Sequence, residues 1–119
     1  MSENVIRNKS FALAVRIVKL YQFLCEVKKE FVLSKQLLRS GTAVGALIRE
    51  AEHAESKADF KHKMAIAQKE INETIYWLEL LKETGYLTDE QFKSIINDAV
   101  EIIKILTSII KSVKARMNC

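Results

Sequence analysis

From Thr88 to Met117 the chain reads TDEQFKSIINDAVEIIKILTSIIKSVKARM. Its apolar residues fall into three adjacent heptad rows: Phe92, Ala99, Leu106 and Val113; Ile95, Ile102 and Ile109; Ile96, Ile103, Ile110 and Met117. Recurrence at this spacing is helical; a half-buried strand would alternate every second residue. The start is marked as well. Thr88 suits an N-cap, Gln91 holds the reciprocal position three residues on, and Asp89 and Glu90 sit where the helix dipole favours acids. Asp98, Glu101 and Lys104 interrupt the apolar run, which argues against a membrane span from Ile95 to Ile110. Three apolar rows are wider than the two-row seam of a simple coiled coil. Either a broad internal core uses the whole width, or the excess faces another subunit.

The rest of the chain repeats this long-helix pattern. Among 119 residues there is no proline and there are only three glycines, Gly41, Gly45 and Gly85. Tight turns draw on both residue types, so the chain has material for few turns and long elements. Four helices are expected, at about 9–26, 30–55, 57–84 and 89–117, after an N-terminal tail over 1–8. In the first, Phe11, Ala14, Val18, Tyr21 and Cys25 recur at helical spacing beside a row of Leu13, Ile17, Leu20 and Leu24. Arg16 and Lys19 interrupt this stretch, which therefore does not read as a secretory signal. The second helix contains Gly41 and Gly45 on one face; a glycine there costs about 1 kcal/mol relative to alanine, which close approach of a neighbouring helix would offset. Ser56 and Asp59 form a capping pair for the third helix, and Gly85 is its C-terminal stop. Short connections make sequential helices antiparallel neighbours. The expected fold is all-α, a single-domain up-down-up-down four-helix bundle.

Cys25 and Cys119 have no metal-type spacing and read as one core thiol and one tail thiol of a reduced, cytoplasmic protein. Glu50-x-x-His53 and Asp59-x-x-His62 echo the carboxylate–histidine pairs of metal-binding bundles. They flank a single turn, however, and the first helix offers no carboxylate between Arg7 and Leu24, so the convergence of four helices is missing. No phosphate loop, Ser-His-Asp arrangement or Cys-His pair is present. The chain reads as no enzyme, with no metal and no cofactor.

The central segments carry a family likeness: RSGTAVGALIREA at 39–51, SKADF at 56–60, AQKEINETIYWL at 67–78 and GYLT at 85–88. The chain resembles the bacterial "four helix bundle protein" family, which includes proteins encoded in intervening sequences of large-subunit ribosomal RNA genes and the accessory variability protein of diversity-generating retroelements. The likeness covers nearly the whole chain and is strongest from Arg39 to Thr88. It implies a homopentamer of bundles. For the retroelement branch it also implies a basic surface for nucleic acid and a reverse transcriptase as partner. It implies no enzymatic activity. One departure is Ala46, where the family usually has asparagine.

Two polar constellations remain. A hairpin turning at residue 56 places Arg39 opposite Glu73, with Glu70 beside it, and a contact among the three is expected. Its plain role is to set helix register, since such pairs give specificity more than stability. The neighbouring Tyr76 and Trp77 point in different directions; one suits the core and the other an interface, with base stacking as an alternative. The second constellation is charge. Residues 1–29 hold six basic and two acidic residues, and from Ile102 onward Lys104, Lys111, Lys114 and Arg116 occur with no acid. Lys9, Arg16 and Lys19 share the spacing of Lys104, Lys111 and Lys114. If the first and last helices are neighbours, these residues make a basic face able to bind RNA or DNA by counterion release. A solvated helix face is the structural alternative. The leading functional expectation is a homo-oligomer binding nucleic acid nonspecifically, as a ribonucleoprotein or retroelement-type accessory protein. The alternative is a protein-interaction scaffold with no nucleic-acid role.

Overall fold

The computed structural model describes residues 2–117. Met1 and the tail thiol of Cys119 lie outside the described residues. Four helices follow one another: α1 (Ser2–Glu26), α2 (Leu33–Ala51), α3 (Lys57–Glu83) and α4 (Asp89–Met117). Each packs against the two beside it in a closed square, α1 with α2 and α4, α3 with α2 and α4, while diagonal pairs do not approach. The result is an elongated antiparallel bundle of 51 × 22 × 20 Å.

Three boundaries depart from the sequence expectation. The tail expected over 1–8 is helical from Ser2. Its anchor is Ile6, which is fully buried one heptad before Leu13 and so extends the core row by two turns. The second helix begins at Leu33 rather than residue 30. Glu30 stands outside it and folds its carboxylate back onto the helix start: Oε2 accepts from the backbone N–H of Val32 at 3.2 Å and Leu33 at 2.9 Å, and Oε1 from Ser34 at 2.7 Å. The same helix ends at Ala51 rather than residue 55. The N–H groups of Glu52, His53 and Ala54 bond the carbonyls three residues back, tightening the last turn into the connection to α3.

The remaining ends match their local chemistry. Ser56 Oγ accepts from Asp59 N–H at 3.0 Å at the start of α3. At its end Gly85 has φ +87°, its N–H reaches Lys82 O, and Tyr86 N–H reaches Leu81 O, the paired bonds of a Schellman stop. Thr88 and Gln91 form a reciprocal capping box: each side-chain oxygen accepts the other's backbone N–H, at 3.0 and 2.9 Å.

Ile6, Leu13, Ile17 and Leu24 of α1, Leu37, Val44 and Ile48 of α2, Met64, Ile71 and Leu78 of α3, and Ile95, Ile102 and Leu106 of α4 fill the core. One polar pair is buried with them: the Thr74 hydroxyl lies 3.0 Å from Ser40 Oγ, with the Glu70 and Leu37 carbonyls as further partners. Between α1 and α2 the backbones approach closely at Gly41, where an added Cβ would meet Ile17 at 2.8 Å. The broad apolar face of α4 is largely internal, since Ile96, Ile103, Ile109 and Ile110 are half-buried against the core.

Candidate nucleic-acid interface

The α1–α4 seam decides where the predicted basic residues go. Lys9 Nζ lies 3.2 Å from Glu101 Oε1. Arg16 reaches α4 three times: Nη1 donates to Asp98 Oδ2 at 2.7 Å and to the Ser94 carbonyl at 3.1 Å, and Nη2 donates to Ser94 Oγ at 2.8 Å. Both cations are therefore occupied in joining α1 to α4, the least closely packed pair of neighbours. Lys19 is exposed and lines an open cleft of about 460 Å³ with Glu90, Gln91 and Ser94.

The same contacts set the register. Arg16 is level with residues 94–98, so Lys19 is level with about residue 91. Lys111 is some twenty residues further along α4, about 30 Å at the helical rise. That separation exceeds the screening length of about 8 Å at physiological salt. Lys19 and Lys111 therefore act as separate charges, while Lys9 and Lys104 lie within about a turn of each other along the seam. Matching spacing within each helix says nothing of the axial offset between them, and antiparallel packing carries the rest of each triplet away from the level that Lys9 shares with Glu101.

What stays available is the outer face of α4. Lys104, Lys111, Lys114 and Arg116 are exposed, and none has an ion-pair partner among the described residues. At 100° per residue, Lys104 and Lys111 lie on the solvent side and Lys114 turns toward α3, in the row of Thr107. Arg116 turns the other way, toward the α1 side.

The α2–α3 seam holds the second constellation. Arg39 Nη2 donates to Glu73 Oε2 at 2.6 Å and lies 3.4 Å from Glu70 Oε1. Trp77 Nε1 donates to the same Glu73 oxygen at 3.0 Å, and Tyr76 packs edge-on to Trp77 with ring centroids 5.0 Å apart. Trp77 is half-buried, and Tyr76 is the exposed partner. The Arg39 hydrogen bond, aided by that of Trp77, holds the Glu73 carboxyl below its ordinary value, and the two glutamates raise Arg39 in return. The hydrogen bonds of Arg39 and Trp77 both converge on Glu73 Oε2 and tie α2 to α3, while Glu70 Oε1 has the Arg39 guanidinium as an ion-pair partner but accepts no hydrogen bond. Ala46 is exposed on this α2 face.

Among the described residues no group of three His, Cys, Asp or Glu side chains could hold a metal ion. Glu50 is bonded to Lys63 Nζ at 3.1 Å, and Asp59 to the Glu55 N–H at 3.2 Å. No helix among the described residues is long and apolar enough to cross a membrane.

Two features escaped the sequence reading. One is Glu30, whose role depends on a loop folding back; an acid four residues before the first helical serine was the only signal. The other is an apolar stripe on the outside of α1, where Phe11 is 55% exposed with Val15 and Val18 beside it. These share the i, i+4, i+7 spacing of one helix face, and with Ala14 and Gln22 they form a shallow groove. In sequence this row is hard to separate from the core row of Leu13, Ile17 and Leu20.

A crystal structure of a protein of unknown function from Bacteroides thetaiotaomicron, described as from the S23 ribosomal protein family, is 62% identical to this chain. The similarity covers 93% of this chain and 99% of that one, with a TM-score of 0.92. A search of curated proteins gives no match. Residues 2–108 match the family described as 23S rRNA-intervening sequence protein. With both the sequence profile and the fold in agreement over nearly its whole length, the chain belongs to the 23S rRNA-intervening sequence protein family.

Proposed function

We propose that the protein is a non-enzymatic homo-oligomer whose α4 surface binds nucleic acid without sequence preference, as part of a ribonucleoprotein or retroelement-type system. The observation that carries this reading is the run of Lys104, Lys111 and Lys114, exposed and without an ion-pair partner among the described residues. Unpaired lysines on one face attract phosphates by releasing counterions, and they carry no means of reading base edges. The family setting favours RNA as the ligand. The exposed stripe of Phe11, Val15 and Val18 supports self-association, since isolated bundles gain nothing from apolar surface left in water. Five copies, the state implied by the family resemblance, would repeat the basic surface around a ring. A reverse transcriptase is the partner class implied for the retroelement branch.

Gel-shift titration with structured RNA and with duplex DNA, at 50 mM salt, tests the reading, with light scattering on the same sample. Retarded complexes that weaken when Lys104, Lys111 and Lys114 are changed together to Gln support it. Absence of a complex at this salt, or binding untouched by the triple change, contradicts it. In that event the Phe11 stripe would favour a protein-interaction scaffold.

A further inference from the structure

The lysines at the end of α4 face others across the α3–α4 seam. Two contacts fix the register there. Lys82 Nζ sits 5.0 Å from the centre of the Phe92 ring, and Gln68 Nε2 donates to Thr107 Oγ1 at 2.9 Å. Lys61 precedes Gln68 by seven residues and shares its row, as Lys82 does; Lys57 is one turn earlier. Lys114 follows Thr107 by seven residues and shares that row. Seven residues are two turns, about 10.5 Å. Because the helices are antiparallel, both steps run to the same end of the bundle. Lys61 and Lys114 therefore stand at one level on opposite sides of one seam, with Lys57 beyond them and Lys111 a turn back.

Positive charge is in excess at this corner. The acids beside the four lysines are Glu55 and Asp59; Asp59 keeps its charge while accepting the Glu55 N–H, and neither forms an ion pair among the described residues. None of Lys57, Lys61, Lys111 and Lys114 has an ion-pair partner among the described residues. Lys61 is half-buried, as expected of a lysine whose apolar stem packs beside a helix seam. Four like charges from two helices converge on one open corner.

We infer that Lys57 and Lys61 of α3, with Lys111 and Lys114 of α4, form a single cradle for the phosphodiester backbone of a nucleic-acid strand crossing this end of the bundle. The inference rests on the nucleic-acid reading and adds a second wall to its site. Lysine ammoniums are point charges on flexible stems, without the planar fork that grips a base edge. Spread over two helices, they match successive phosphates of a strand better than one small anion.

The test is fluorescence anisotropy with a labelled 20-base-pair RNA duplex and the DNA duplex of the same sequence, between 50 and 300 mM salt. Four proteins are compared: wild type, Lys57→Gln/Lys61→Gln, Lys111→Gln/Lys114→Gln, and the control Lys35→Gln/Lys69→Gln, with circular dichroism to check folding. Each lost phosphate contact removes about 0.9 from the slope of log affinity against log salt on a duplex. The α3 pair is expected to lower the slope by nearly two, as the α4 pair does, while the control leaves it unchanged. An α3 pair that behaves like the control while the α4 pair weakens binding overturns the cradle and leaves the nucleic-acid reading standing. No binding by wild type at 50 mM salt overturns both. Full displacement of the duplex by inorganic phosphate at constant ionic strength overturns the strand as ligand.

Discussion

Gly41 and Ile17 meet without room for a methyl group: a Cβ on Gly41 would lie 2.8 Å from both Cγ1 and Cγ2 of Ile17. Those atoms belong to a β-branched, fully buried side chain that cannot swing aside. Gly45, one turn on, differs, since its added Cβ would rest 3.5 Å from the Ser10 carbonyl, an ordinary contact. Gly41→Ala should destabilise the bundle by about 1–2 kcal/mol, overpacking outweighing better helix propensity. Gly45→Ala should be neutral or stabilise by up to about 1 kcal/mol. Urea unfolding of both, and of Gly41→Ala with Ile17→Ala, checks this. The double variant should show a coupling energy of more than about 0.5 kcal/mol, because the clash is removed with the isoleucine.

Glu30 should prove the most sensitive acid in the chain. Burial alone would raise its carboxyl, but the three backbone N–H donors at the start of α2 outweigh this and hold it below its ordinary value of 4.5. Glu30→Ala should cost about 1–2 kcal/mol, in the range of a lost helix cap. A lowered carboxyl gives stability that is present above the unfolded value and lost as pH falls through the folded one. Wild type should therefore lose stability below about pH 4.5, and Glu30→Gln should lose less over the same interval. Urea midpoints at pH 7 and pH 3.5 measure the difference.

Glu73 has a built-in reporter, because the Trp77 indole donates to the oxygen that also accepts from Arg39. Its lowered carboxyl predicts a change in tryptophan emission below pH 4.5 and none between pH 5 and 8. Glu73→Gln should abolish that acid transition. Arg39 and Glu73 are both well exposed, so their coupling should not exceed about 1 kcal/mol. A charge swap of the two should fold better than either single reversal. If it folds no better, the pair does not set the α2–α3 register.

Lys29 holds φ at +55°, left-handed backbone that costs a residue with a Cβ roughly 1 kcal/mol and glycine little. Lys29→Gly should raise stability by a few tenths to about 1 kcal/mol, read from the same unfolding curves.

The periodic elements were legible in the sequence because periodicity is local. The rows of α4, the Thr88–Gln91 box and the Gly85 stop needed only their own residues. So did the placement of Arg39 near Glu73, given a turn at residue 56. What failed needed information from another helix or a folded loop. Ile6 belongs to α1 because the core has a place for it one heptad before Leu13. Glu30 is a cap because residues 31–32 bend it back. The pairing of two of the basic residues was illegible for the same reason. Lys9 and Arg16 looked free in sequence, but Glu101, Asp98 and Ser94, some eighty or more residues away, hold them. The excess apolar width of α4 was visible, and only packing showed that the core takes most of it.

The most direct test of the account is the salt dependence of RNA-duplex binding, compared between Lys9→Gln/Arg16→Gln and Lys104→Gln/Lys111→Gln/Lys114→Gln. Paired cations contribute little to counterion release and unpaired ones contribute fully. The α4 triple variant should flatten the slope of log affinity against log salt by about two to three, and the α1 pair by less than about one. Equal slopes for the two variants and wild type, or a larger loss from the α1 pair, would contradict the account.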